Sequence, residues 1–151
     1  MTATEPAAAP AGPDFSHLRA LEPQGNREVP YKLEQIAGAP TIWFLPGTDA
    51  NRAFMNESLR RTNARTRGPR RTRRITQDTM EAARDEDREI IAKTCAKRWD
   101  VTDAKGAAVP FSEENCLAFF RALPDWIFDD LRGFVTDPGN FIGEGDGLGE
   151  A

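Results

Sequence analysis

The sequence predicts a small α+β domain, an N-terminal β-hairpin packed on about four helices, with a flexible arm before it and a glycine-rich acidic tail after it. Three observations predict this. Residues 31–36 (Tyr-Lys-Leu-Glu-Gln-Ile) alternate with period two, and residues 41–45 (Thr-Ile-Trp-Phe-Leu) are β-branched and aromatic, with Gly38 and Pro40 between them. From Ala53 onward the apolar residues recur at helical spacing. At the ends, Pro10, Pro13, Pro23 and Pro30 sit among alanines and polar residues, and glycines at 139, 143, 145, 147 and 149 alternate with acids. Neither composition buries enough apolar surface to offset the entropy of ordering it. The expected layout is an arm over residues 1–30, a domain over 31–136 and a tail over 137–151. At 151 residues, 39% of them hydrophobic, the chain fits one domain and excludes a large multidomain enzyme.

Pro46-Gly47 ends the hairpin, and Thr48 or Asp49 is the expected cap of a helix running through Ala53, Phe54, Met55 and Leu59 to about residue 64. A basic loop over residues 65–74 contains Gly68-Pro69. Thr76 then caps the longest helix, whose apolar positions are Met80, Ala83, Ile90, Ile91, Cys95 and Trp99. Asp103-Ala-Lys-Gly106 reads as the turn of a short second hairpin or as a plain loop. Ser112 caps the next helix with Glu113 and Glu114 in its first turn, where the helix dipole favours acids. Its stripe is Cys116, Phe119, Phe120 and Leu123, at i, i+3, i+4 and i+7. Asp125 is the expected cap of the last helix, with Ile127, Leu131, Phe134 and Val135 on its apolar side, and Asp137-Pro138 stops it.

No chemistry-bearing constellation emerges from the motifs. Two cysteines twenty-one positions apart, Cys95 and Cys116, and one histidine, His17, exclude a zinc framework of the usual spacing and imply no disulfide scaffold. His17 has no acid or nucleophile placed beside it. Asp85 and Glu89 read as a solvated helix face tied by Asp85–Arg88 and Glu89–Lys93 pairs. Asp125 reads as a cap, with Asp129 and Asp130 facing solvent. The segment Phe44-Leu-Pro-Gly-Thr-Asp49 lacks a phosphate-loop pattern, and the tail misses Gly-x-Gly-x-x-Gly because Leu148 holds the third position. The expectation is a protein with no catalytic residues, no cofactor and no metal. No apolar run approaches the roughly 20 residues of a membrane span, and the first eleven residues lack the basic and apolar regions of a signal peptide. A soluble cytoplasmic protein is expected, with no membrane partner.

Charge asymmetry is the feature with functional force. Residues 52–74 hold nine arginines against Glu57, a net +8, whereas residues 125–151 hold seven acids against Arg132, a net −6. Arg65, Arg67, Arg70, Arg71, Arg73 and Arg74 are thus a candidate charged interface, for an acidic protein surface or for the acidic tail of a neighbouring copy. Nucleic acid is the weaker expectation, because no aromatic interleaves the arginines to stack on bases.

Several segments together carry a resemblance: Asp49-Ala-Asn-Arg-Ala-Phe-Met-Asn-Glu-Ser-Leu-Arg-Arg61, Lys97-Arg-Trp-Asp100, Gly106-Ala-Ala-Val-Pro-Phe-Ser-Glu-Glu-Asn115, Ala122-Leu-Pro-Asp-Trp-Ile-Phe-Asp-Asp-Leu-Arg132 and Asp137-Pro-Gly-Asn-Phe141. Over about residues 31–141 the chain resembles the tail assembly chaperones of long-tailed, non-contractile phages. The resemblance implies a non-enzymatic protein of the host cytoplasm, absent from the finished particle. Many copies would coat the tape-measure protein, keep it soluble and help recruit the major tail tube protein, which makes a homo-oligomer an expectation as well. Some members occur in a short and a frameshift-extended form, and the glycine-rich end suits either a short-form terminus or a linker. A binder of amphipathic helices needs exposed apolar side chains, and the candidates for partner binding are Trp99, Phe119, Phe120 and Trp126. The alternatives are a head-tail connector or tail-completion subunit retained in the virion, and a nucleic-acid-binding protein using the arginine-rich segment.

Overall fold

A computed structural model describes residues 12–66 and 76–143. Portions of the expected arm, basic loop and tail fall on residues 1–11, 67–75 and 144–151 and lie outside the described residues. The fold class is as expected, a sheet covered by four helices. In chain order the elements are β1 (Val29–Lys32), β2 (Thr41–Phe44), α1 (Arg52–Thr66), α2 (Gln77–Thr94), β3 (Ala96–Trp99), α3 (Glu113–Ala122) and α4 (Asp125–Val135), with 3₁₀ turns at Ser16–Leu21 and Pro138–Phe141.

The hairpin forms, with its first strand two residues upstream of the expected start. Val29 pairs with Phe44 and Lys32 with Thr41 in an antiparallel ladder. Residues 33–40 make the connection, turning through Gly38 at φ 83° and Ala39 at φ 43°, the left-handed region where an alanine is strained and glycine is not. The third strand is a correction. The helical spacing of Cys95 and Trp99 places both on the longest helix, but α2 ends at Thr94, and residues 96–99 return as β3 against β2, with Ile42 opposite Trp99. Strand order is therefore β1-β2-β3, wholly antiparallel.

β2 alternates as a half-buried central strand does, with Ile42 and Phe44 fully enclosed and Thr41 and Trp43 on the outer face. Arg98 of β3 covers Trp43, its guanidinium carbon 4.2 Å from the ring centroid. The inner face meets α3 and α4 in an aromatic column. Phe44, Phe120 and Phe128 are all fully buried, with ring centroids 6.5 Å and 5.5 Å apart along the series. The expected stripes of α3 and α4 face this core, joined by Phe128, which the spacing argument leaves out.

The caps divide into two kinds. Thr76 Oγ1 accepts the Thr79 N–H at 3.2 Å and Ser112 Oγ accepts the Asn115 N–H at 3.0 Å, both as expected. The other two expectations need correction. Asn51 rather than Thr48 or Asp49 precedes α1, with Oδ1 accepting the Phe54 N–H at 3.3 Å while its Nδ2 donates to the carbonyls of Pro46 and Thr94, each at 3.0 Å. An amide can make two donated bonds and one accepted bond at once in this buried place, whereas a hydroxyl has a single proton to donate. Pro124 stands at the N-cap of α4, which releases Asp125 for ion pairs.

The ordered unit also reaches past 31–136. Pro23 bridges Ile142, the Gln24 N–H donates to the Phe141 carbonyl at 2.9 Å, and Phe141 is fully buried against Phe134. Gly47 shows why the β2–α1 turn needs glycine. Its N–H donates to Val135 O at 2.8 Å, and a Cβ there would lie 3.0 Å from Val135 Cγ1.

Candidate functional site

The charged faces of the helices are joined to one another. Arg84 on α2 reaches α4, with Nε 3.0 Å from Asp129 Oδ1 and Nη1 3.2 Å from Asp125 Oδ2. Arg88, 6% exposed, donates to Asp85 at 3.2 Å and Asp125 at 2.9 Å while lying over the Phe128 ring. Arg121 on α3 holds Asp85 at 2.8 Å and Glu89 at 3.0 Å, and Arg132 on α4 holds Asp87 at 2.9 Å. The Arg121 guanidinium draws the Asp85 carboxyl below the usual carboxylate range, and Arg84 does the same for Asp129. The expected Asp85–Arg88 pair is present. The expected Glu89–Lys93 pair is not: Lys93 turns to Glu57 at 3.2 Å, and Glu89 takes Arg61 at 2.7 Å. Asp129 is likewise an inter-helix partner rather than a solvent-facing residue.

Glu57, on α1, is the most enclosed acid of this seam. Arg60 and Arg61 donate to it first, then Lys93, and they lower its pKa to about 2. These carboxylates are spent on arginines, an arrangement for holding helices together and not for holding a cation or shuttling a proton. Both cysteines are buried, and desolvation raises Cys95 to about 11 and Cys116 further still, so each stays a neutral thiol. Among the described residues no group of three or more His, Cys, Asp and Glu is placed to hold a metal ion, and no helix is long and apolar enough to cross a membrane.

What remains is the exposed apolar surface. Of the four candidate partner-binding residues, Phe120 needs correction: it is 0% exposed in the aromatic column, because i+4 from Cys116 points it straight at the sheet. Trp99 and Phe119 are half-buried and meet edge to face at 5.5 Å. The Trp99 indole N–H donates to the Val109 carbonyl at 2.7 Å, which pins the ring as the floor of an open apolar cleft between the 101–109 loop and α3. That loop is the tight form of the expected turn, closed by a Thr102–Ala108 bridge and by Asp103 accepting the N–H groups of Lys105 and Ala107.

Trp126 lies elsewhere and is 59% exposed. It stands on the outer side of α4 in line with Asp130 and Gly133, at i+4 and i+7, both exposed. A Cβ on Gly133 would meet nothing within 4 Å. Among the described residues nothing requires glycine there, although glycine in a helix costs about 0.5–1 kcal/mol relative to alanine.

No family model, curated protein or solved structure matches the chain. The site therefore rests on its own geometry. Of the candidate charged interface, Arg65 is used internally, gripping Glu86 at 2.7 Å and 2.8 Å. Arg67, Arg70, Arg71, Arg73 and Arg74 lie outside the described residues. Gly133, Arg84 and the reach of Arg88 to Asp125 are what sequence reasoning missed. A glycine inside an otherwise strong helical stripe was the signal for the first. For the two arginine contacts to α4 there was none, since those partners lie 37 to 45 residues away.

Proposed function

We propose that the chain is a tail assembly chaperone of a long-tailed, non-contractile phage, which binds and solubilises the tape-measure protein in the host cytoplasm and helps recruit tail tube protein. Two things support the reading. One is the likeness of the motifs over residues 31–141 to that family. The other, which carries it on physical grounds, is the outer face of α4, where a largely exposed tryptophan and an exposed glycine two turns on share one line.

A tape-measure helix exposes long apolar stripes that aggregate unless covered. A protein that shields them needs a flat aromatic to lie against the stripe and room for two backbones to come close. Trp126 supplies the first, since large aromatics carry much of the energy at interfaces. Gly133 supplies the second, since the absence of a Cβ allows a partner helix to approach. Asp130 between them favours a helix with basic flanks. The packed face of α4 is apolar and its outer face is not uniformly polar, so this helix presents a surface on both sides.

The test is co-expression of the chain with the tape-measure and tube proteins encoded beside it. The expected result is a tape-measure protein that is soluble only with the chain, with many copies bound per molecule. In the same experiment Trp126→Ser is expected to abolish the rescue while leaving the chain's own melting temperature unchanged. If neither protein binds and the chain is found in purified particles, the connector reading replaces this one.

A further inference from the structure

We infer that copies of this chain join head to tail, the N-terminal 3₁₀ arm of one seating in the Trp99–Phe119 cleft of the next. The arm supplies the first half of the argument. In a 3₁₀ helix side chains at i and i+3 eclipse, so Phe15, Leu18 and Leu21 form a single ridge about 12 Å long. Their exposures are 62%, 50% and 57%, and no residue of Ser16–Leu21 is buried. Such a ridge of large apolar side chains in water calls for a cover. Among the described residues none encloses it: the arm is tied at its base by the Pro23–Ile142 bridge and the Gln24–Phe141 hydrogen bond, on the side where Phe134 packs against Tyr31 of β1.

The cleft supplies the second half. It is built at an edge of the sheet, on Trp99 of β3, and is walled by Val101, Val109, Ala118 and Phe119. At ≈ 260 Å³ it is smaller than the roughly 300–1,000 Å³ of sites for small-molecule ligands. Its size and apolar lining suit inserted side chains. The charged residue among its lining is Asp103, and Glu114 lies one helical turn before Ala118 on the same side of α3, with Lys105 in the adjoining turn. Arg19 stands beside the ridge and pairs with Glu22 at 3.0 Å, both exposed, a contact weak enough to exchange for a partner's carboxylate. Ridge and cleft thus match in polarity and in charge, and they are different surfaces, the arm's base tied at Phe141 and Ile142 and the cleft built on β3. Two different surfaces meeting in this way make a heterologous contact, which propagates from copy to copy into a ring or an open array.

The inference needs no second protein, so its test is independent of the tape-measure reading. The purified full chain is followed by sedimentation velocity over a concentration series, beside an arm variant, Leu18→Asp with Leu21→Asp, and a cleft variant, Ala118→Arg. All three positions are exposed, so the variants are expected to fold with the wild-type melting profile. The wild-type chain is expected to grow in mass with concentration, and each variant alone to stay a monomer. An equimolar mixture of the two is expected to stop at a dimer, because the cleft variant's intact arm enters the arm variant's intact cleft and both remaining surfaces are dead. A wild-type chain that stays monomeric throughout overturns the inference, as do variants that still assemble. A mixture that recovers no dimer overturns it too, since the two surfaces are then not each other's partners.

Discussion

Two helices of this domain are held in place by different balances of burial and charge. α4 buries Ile127, Phe128, Leu131 and Val135, whereas the only buried residue of α1 is a carboxylate, Glu57. Around Phe128 the contacts are ring on ring and guanidinium on ring, with Arg88 and Arg132 at 5.2 Å and 5.8 Å from its centroid. Between α1 and α2 they are ionic, with Arg61 on Glu89, Arg65 on Glu86 and Lys93 on Glu57. The comparison teaches that burial dominates in fixing the sheet, α3 and α4 as one block, with ion pairs to α2 added to it, while charge carries more of the docking of α1, beside the partly buried Phe54. The first kind of contact is less sensitive to screening by salt. The second weakens as salt screens it and as acid protonates it.

The largest expected effect comes from breaking the apolar side. Phe128→Ala removes the middle ring of the column and leaves a void, and should cost about 4 kcal/mol, near the centre of what such core truncations show. Urea unfolding of the variant measures it. The loss is expected to change less between low and high NaCl than that of a variant on the ionic side, which is what separates this region from α1.

The ionic side is broken by Glu57→Gln, expected to cost about 2 kcal/mol through lost charge-assisted hydrogen bonds. Here pH sharpens the comparison. The Glu57 carboxyl is held at about 2 against a usual 4.5, so the unfolded chain takes up its proton first as pH falls. The contribution is therefore fully present above 4.5 and lost as pH drops through 2. The stability gap between wild type and Glu57→Gln is expected to be constant above 4.5 and to close towards 2. A gap that persists in acid would mean that α1 is held by something other than this charge.

The smallest effect is on the outer face of α4. Gly133→Ala is expected to raise stability by about 0.5–1 kcal/mol, because the added methyl meets nothing and alanine is the better helix former. The same change is expected to weaken capture of the tape-measure protein, so stability and binding should move in opposite directions at one residue.

The legible parts of this molecule are the local ones. Thr76 and Ser112 announce their helices because a cap needs only its own hydroxyl and an N–H three residues on. The stripes of α3 and α4 are legible for the same reason, since one face of a helix is set by spacing within eleven residues. Trp126 could be proposed as a partner contact from composition, but its exposure could not be told from Phe120's burial by residue type. β3 was hidden because in Ala-Lys-Arg-Trp only the tryptophan favours a strand, while alanine and lysine disfavour one. It is extended because β2 offers it a ladder and a place to bury Ala96, and the pairing overrides the helical spacing of Cys95 and Trp99.

The sequence by itself determined the fold class, the α3 and α4 apolar faces and the caps at Thr76 and Ser112, because those depend on neighbours along the chain. Only the tertiary structure decided which acids meet which arginines, which aromatics are core and which are surface, and that an open cleft forms on Trp99 while Phe15, Leu18 and Leu21 stay exposed. Those facts depend on residues tens of positions apart being brought together, and no local spacing encodes that distance.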